Sequence, residues 1–305
     1  MATAPIEPPQ RLRNAIGGDP EGPAGASAAW LAALPALVRE YLDAWELTLE
    51  RVHEPGGRSS LVAFVRQADG TPAALKFPVP ERPAALEAAA LRAWDGWGAV
   101  RLLRADEARG ALLLERLQGA VSLRSLPEAR ALLEAAGTVR RLWVAPPEGH
   151  PFASVAERTA RDEAGLRAAA GRTGAGPLVD EALELGRSLP AGAAEEYLLH
   201  GAFRQGKVLA GERVPWLVVG PSPLVGERAY DLARLVLDRF EDLLAGSGAA
   251  AAARRRVAKL ADSLDVDRER LRGWTLYRAV RGGVREAATG DRRRGESLLE
   301  FAAAL

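Results

Sequence analysis

Cysteine is absent from this 305-residue chain, which excludes a disulfide framework and thiolate catalysis and fits a reducing compartment. Lysine is nearly absent too, standing only at Lys76, Lys207 and Lys259, so arginine supplies almost all the positive charge. Heavy use of arginine and alanine matches a GC-rich coding bias, and arginine number alone is not read as function. Neither sign of charge prevails. The formal net charge is +1, so no overall field draws the chain to nucleic acid or an anionic membrane. No stretch approaches the roughly 18 uninterrupted apolar residues of a membrane span. The start, Met1-Ala2-Thr3-Ala4-Pro5, lacks the basic flank and apolar run of a secretory signal. These absences set the expectation of a cytoplasmic protein with neither nucleic acid nor membrane as partner. The runs Arg254-Arg255-Arg256 and Arg292-Arg293-Arg294 have no interleaved aromatics and read as solvated helix faces. His53 and His150 fall in loops without a spaced carboxylate nearby, which favours packing or surface roles over metal binding.

A chain of this length can bury a large core, and its pattern changes part-way along. Residues 1–25, rich in proline and glycine, read as a flexible tail. Ser27 is expected to cap a helix in which Trp30, Leu34, Leu37, Val38, Tyr41 and Trp45 recur at helical spacing. Strand-like runs follow at 47–52, 61–66 and 73–77, the last two joined by the hairpin signal Asp69-Gly70. A helix over 81–94 and two more strands, 99–103 and 111–117, complete a first lobe over 26–119. Beyond it, 120–305 is mostly helical, with an irregular, strand-like section from Tyr197 to Val225. Helices are expected at 126–144, 152–171, 177–189, 227–244, 249–264, 267–288 and from Arg294 to the end. Strands followed by helices predict an α+β chain of two lobes with a cleft between them.

Phosphoryl transfer on such a frame needs a strand lysine on phosphate oxygens and a helix glutamate to orient it. It also needs a base beside the acceptor hydroxyl and two oxygen ligands for magnesium. Lys76 in Ala74-Leu75-Lys76-Phe77 and Glu87 on the next helix stand where the first two belong. Gly57, in the loop Gly56-Gly57-Arg58-Ser59-Ser60, is the candidate phosphate-loop glycine, a weak signal by itself. Further on, His200-Gly201-Ala202-Phe203-Arg204-Gln205-Gly206-Lys207-Val208-Leu209 has the frame of a catalytic loop. The strand Trp216–Val219 after it runs into Gly220-Pro221-Ser222-Pro223.

Several stretches resemble the streptomycin 6-kinase branch of the aminoglycoside and hydroxyurea phosphotransferases. They include Trp30-Leu31-Ala32-Ala33-Leu34-Pro35, the run from Leu91 to Leu103 and Leu112-Leu113-Leu114-Glu115-Arg116-Leu117. Asp267-Arg268-Glu269-Arg270-Leu271-Arg272-Gly273-Trp274 belongs with them. The resemblance spans Ala26 to Leu305 and implies the two-lobed protein-kinase-like fold, with a small β-rich lobe and a larger helical one. It also implies a loop of the form H-G-D-L-H-x-G-N-V-L followed by I-D-P-K-P. Against that frame the base Asp is Ala202, the second His is Arg204, the metal-binding Asn is Lys207 and the second metal ligand is Gly220. Asp231, in Glu227-Arg228-Ala229-Tyr230-Asp231-Leu232, takes the position that braces the loop.

These replacements remove chemistry. Alanine takes no proton, and base positioning is worth about 10² to 10⁴ in rate. Magnesium wants oxygen ligands, which neither Lys207 nor Gly220 supplies. The reading is a degenerate phosphotransferase, with no intact catalytic set and no metal site, acting as a binding, regulatory or accessory protein. ATP is the cofactor its frame could take and magnesium is not expected; a small molecule or a partner protein is the expected ligand. Alternatives are a repurposed enzyme using His200, Arg204 and Lys207 for other chemistry, and a residual kinase in which Glu227 or another acid supplies the missing ligands. In a further variant Lys207 and Arg204 neutralise phosphates in place of the metal. Trp274 reads as core, and Glu286 and Asp291 as solvated acids.

Overall fold

The computed structural model describes residues 5–17, 24–244, 248–288 and 291–305. The chain forms two compact units, one of residues 1–118 with 211–217, the other of 119–210 with 218–305.

In the first unit, helices α1 (Gln10–Gly17) and α2 (Ala24–Ala44) lead into strands β1 (Thr48–Val52), β2 (Ser60–Arg66) and β3 (Pro72–Pro78). Helix α3 (Ala84–Trp94) follows, then β4 (Leu102–Asp106) and β5 (Ala111–Glu115). The five strands form an antiparallel sheet in the order β1-β2-β3-β5-β4. The Asp69-Gly70 turn joins β2 to β3 as expected: Gly70 takes φ +83° and Asp69 Oδ1 accepts the Thr71 N–H at 2.8 Å. Side chains alternate across a strand, and that parity organises the unit. Leu61, Ala63, Val65, Leu75, Phe77 and Leu113 share a core with Leu34, Val38 and Tyr41 of α2. Each large apolar side chain buried there contributes about 1.5–3 kcal/mol. Lys76, out of phase with Leu75 and Phe77, belongs to the opposite face.

The N-terminal segment departs from the expected tail. Within 5–17, Ile6 and Leu12 are buried in the same core, and that apolar burial outweighs the local proline and glycine content. Residues 1–4 and 18–23 lie outside the described part. Helix α2 starts at Ala24, so Ser27 is not its cap; its hydroxyl donates instead to Glu81. Strand β4 begins three residues later than the alternation predicts, because Ala99 and Val100 bury as a connector before the sheet is joined.

The second unit holds helices α4 (Glu128–Leu142), α5 (Val155–Thr173), α6 (Gly176–Ala191) and α7 (Arg228–Val236). It continues with α8 (Phe240–Leu244), α9 (Ala249–Leu264), α10 (Arg268–Ala288) and α11 (Arg292–Ala303). Its short strands are β6 (Gln118–Ser122), β7 (Tyr197–Leu199), β8 (Val208–Ala210) and β10 (Leu224–Gly226), while β9 (Trp216–Val218) falls mostly among the residues of the first unit. β6 pairs with β8 and β10 with β7; β6 was not expected. The core is built on α10, where Trp274 is fully buried with its ring edge-on to Tyr230 and Tyr277 at 4.9 and 5.6 Å. The helix expected over 227–244 is two. Arg239, at φ +52°, breaks it and donates to the carbonyls of Leu123, Arg124 and Leu126. Those bonds outweigh the small cost of one left-handed residue.

Candidate functional site

In the first unit, strand parity carries Lys76 to the side on which α3 presents Glu87. The ammonium donates to both carboxylate oxygens at 2.6 Å, and both residues are more than nine-tenths buried. Glu87 lies in the first turn of α3, where the positive end of the helix favours its charge. A buried pair like this is costly to desolvate and rigid once formed. It leaves the lysine one further N–H to direct at an anion. Of the two loop glycines, Gly56 carries the backbone demand rather than Gly57. Gly56 sits at φ +68°, and a Cβ there would lie 2.6 Å from Pro9; a Cβ on Gly57 would meet nothing closer than 3.9 Å.

In the second unit, β7 delivers His200 and Gly201, and a 3-10 turn, Gln205–Lys207, leads into β8. Gly201 takes φ +71° with a virtual Cβ 1.9 Å from the Ser222 carbonyl oxygen, so no other residue fits without moving backbone. Ser222 N–H donates to the His200 carbonyl at 2.9 Å. Asp231 is fully buried on α7 and accepts the His200 and Gly201 amides at 2.7 Å each. Burial pushes its carboxyl up; Arg278, the two amides and Lys207 pull it back. This is the loop-bracing role expected of Asp231.

The candidate for altered base chemistry, His200, is fully buried. Its Nδ1 accepts from the Ala202 amide at 3.2 Å, so Nε2 carries the proton and donates to Val219 O at 3.2 Å. With both nitrogens committed to backbone, His200 is a neutral strut. The residual-kinase alternative named Glu227, or another acid, as the replacement ligand. Glu227 is buried and accepts from Arg270 Nε and Nη2 at 2.6 Å each and from Trp274 Nε1 at 2.7 Å. Those bonds hold the end of β10 to α10 and occupy the carboxylate that a metal would need.

Lys207 Nζ donates to the Gly220 carbonyl at 2.6 Å. The two positions at which the family frame sets its metal ligands are thus joined to each other by an ammonium. A divalent ion about 4 Å from that ammonium would meet roughly 8 kcal/mol of repulsion at an effective dielectric of 20. Ala202 and Gly220 offer no side-chain oxygen, so the residues present do not fit a magnesium ion. Among the described residues no group of three His, Asp or Glu side chains is placed to hold a metal. Arg204 reaches back over Gly206, where a Cβ would lie 3.0 Å from Arg204 Nη1 and 3.3 Å from Arg124 Cδ.

Two residues of this neighbourhood were not singled out by sequence. Arg278 on α10 donates to the Gly201 carbonyl at 3.1 Å and lies 3.8 Å above the Tyr230 ring. Arg234 stands one turn beyond Tyr230 on α7. The spacing Tyr230/Arg234 and Arg278/Arg281 was the available signal, submerged in an arginine-rich composition.

A small antiparallel sheet unit and a larger helical one, with a strand lysine paired to a helix glutamate and a His-Gly loop braced by a buried aspartate, define a protein-kinase-like phosphotransferase fold. Solved structures agree. A choline kinase from Streptococcus pneumoniae superposes with TM-score 0.64 at 12% identity, covering 88% of this chain and 99% of that one. A thermostable mutant of an aminoglycoside phosphotransferase, in ternary complex with ADP and hygromycin B, gives 0.61 at 17%, covering 87% and 96%. The chain belongs to the aminoglycoside/hydroxyurea antibiotic resistance kinase family, whose sequence pattern it matches over residues 44–290. It is 34% identical to streptomycin 6-kinase of Streptomyces glaucescens over 284 residues, 91% of each protein. To hydroxyurea phosphotransferase of Kitasatospora aureofaciens it is 40% identical over 266 residues, 85% of this chain and 74% of that protein.

Proposed function

We propose that this chain is a degenerate phosphotransferase that binds a small molecule and performs no magnesium-dependent phosphoryl transfer. The observation that carries the reading is the 2.6 Å bond from Lys207 Nζ to the Gly220 carbonyl. It sets a tethered cation where kinase chemistry needs a metal, while Ala202 leaves no proton acceptor on the loop. The buried Lys76–Glu87 pair keeps a phosphate-directed lysine oriented, so nucleotide binding without metal is retained in the proposal. The curated relatives are named as kinases and phosphotransferases, and the loss of chemistry belongs to this chain's own residues at 202, 207 and 220. His200, committed to backbone through both nitrogens, does not favour a repurposed enzyme.

Calorimetric titration with ATP, once with magnesium and once with EDTA, tests the reading. Binding equal or tighter in EDTA is expected. Binding that needs magnesium, or magnesium-dependent phosphorylation of streptomycin or hydroxyurea, would overturn it.

A further inference from the structure

The segment expected to be a tail is seated on the loop that precedes β2. Ile6, Pro9 and Leu12 recur at every third residue, and all three are buried. Ile6 and Leu12 enter the core shared by α2 and the sheet, and Ile16 packs against it. Pro9 stands between those two anchors. A Cβ on Gly56 would lie 2.6 Å from Pro9 Cγ and 2.8 Å from Pro9 Cβ, so the proline ring rests directly on the Gly56 backbone.

The loop has little else to hold its middle. Its two ends are fixed: His53 N–H donates to Val62 O at 2.8 Å, and Val79 N–H donates to Ser59 O at 3.0 Å. Between them, residues 54–58 make no backbone hydrogen bond among the described residues. A stretch of that kind opens easily unless side chains pack on it. Pro9 suits the task, because its fixed φ leaves little freedom to lose on ordering. The loop also lies near Lys76. Ser60, just after it, is two positions along β2 from Val62, the cross-strand partner of Lys76, a rise of about 7 Å. The Gly56, Gly57 and Arg58 amides have no protein acceptor among the described residues and are available to an anion.

We propose that residues 5–17 are a strap that holds the Gly56 loop in one shape through Pro9, and thereby sets how tightly the first unit takes a phosphate-bearing ligand. With the strap seated, the loop is ordered before the ligand arrives. With it released, binding must order the loop as well, and affinity falls. The inference rests on the reading of Lys76 and this loop as a nucleotide site. Loop motion is measured without nucleotide, so either can fail alone.

The test compares the full chain with its Pro9→Gly variant, by hydrogen exchange without nucleotide and by calorimetric titration with ATP in EDTA. Glycine keeps the backbone carbonyl that accepts the Leu12 and Arg13 amides at 3.0 and 3.1 Å, so α1 still has its first bonds when the ring is gone. Exchange at residues 56–60 is expected to rise about tenfold or more with β2 and β3 unchanged, and ATP affinity to fall about three- to tenfold. Leu12→Ala, which weakens an anchor without touching the loop, should free the same amides. Gly56→Ala sets a methyl group against Pro9, so it should cost less stability in the Pro9→Gly background than in wild type. The strain of φ +68° at Gly56 is common to both backgrounds. Exchange that is unchanged or uniformly raised, equal costs of Gly56→Ala in both backgrounds, or ATP affinity indifferent to Pro9 would overturn the proposal. A chain that binds no ATP, yet whose loop is freed by Pro9→Gly, would sink the nucleotide reading alone.

Discussion

At the scale of single residues, what a side chain can do is decided by what already holds it. Glu227 has a carboxylate and the right neighbourhood, yet three donors from Arg270 and Trp274 consume it. His53 shows the same logic in the first unit. Its ring packs 5.0 Å from Phe64, and its Nδ1 is buried without a partner. Burial first, then the charge of Arg51, lowers its affinity for a proton below the ordinary 6.5. Below that value the unfolded chain binds a proton that the folded chain refuses, so the contribution is fully present above pH 6.5 and is lost as pH falls through the window beneath it. Urea denaturation at about pH 7.5 and 5.5 should show a smaller acid-side loss for His53→Gln than for wild type. Equal losses would remove His53 as a cause.

Among elements, the loop depends on pieces distant in sequence. Helix α5 begins with a reciprocal cap, in which Ser154 Oγ accepts the Glu157 amide at 3.1 Å and Glu157 Oε2 accepts the Ser154 amide at 2.7 Å. The same start is fastened to β10, where Val225 N–H donates to Ala153 O at 2.9 Å, and β10 pairs with β7, which leads into His200. Ser154→Ala should therefore cost about 1 kcal/mol in a denaturation curve. It should also speed hydrogen exchange at the β10 amides ahead of those in α10. Exchange that rises uniformly would mean the cap acts on global stability alone.

For the whole molecule, the residues at 202, 207 and 220 that carry the proposed loss of catalysis are separable from the fold. Gly220 takes φ +63°, a conformation that aspartate adopts at modest cost, and Ala202 sits on a loop anchored by Asp231 through its neighbours. The combined variant Ala202→Asp, Lys207→Asn, Gly220→Asp should fold and bind ATP better with magnesium than with EDTA. It should hydrolyse ATP in a magnesium-dependent way that wild type does not, by a factor of 10² or more. Lys207→Asn alone should abolish the preference for EDTA without restoring turnover. Wild-type turnover equal to that of the triple variant would contradict the assignment of these three positions.

The alternation of strands, the helical spacing of α2 and α10, and the order strand, lysine, helix, glutamate were legible in the chain itself, because local periodicity records which face is buried. So were the identities at 202, 207 and 220, and with them the missing oxygen ligands, since chemistry absent from a side chain cannot be supplied by folding. What only the tertiary structure decided is where charges end up. Ile6 and Leu12 join a core that their proline-rich surroundings did not advertise. Lys207 turns onto the Gly220 carbonyl, Glu227 is taken by α10, and Arg278 is laid over the Tyr230 ring from a helix distant in sequence. Such pairings depend on long-range packing, and a one-dimensional pattern holds no record of which of many arginines will meet a given partner.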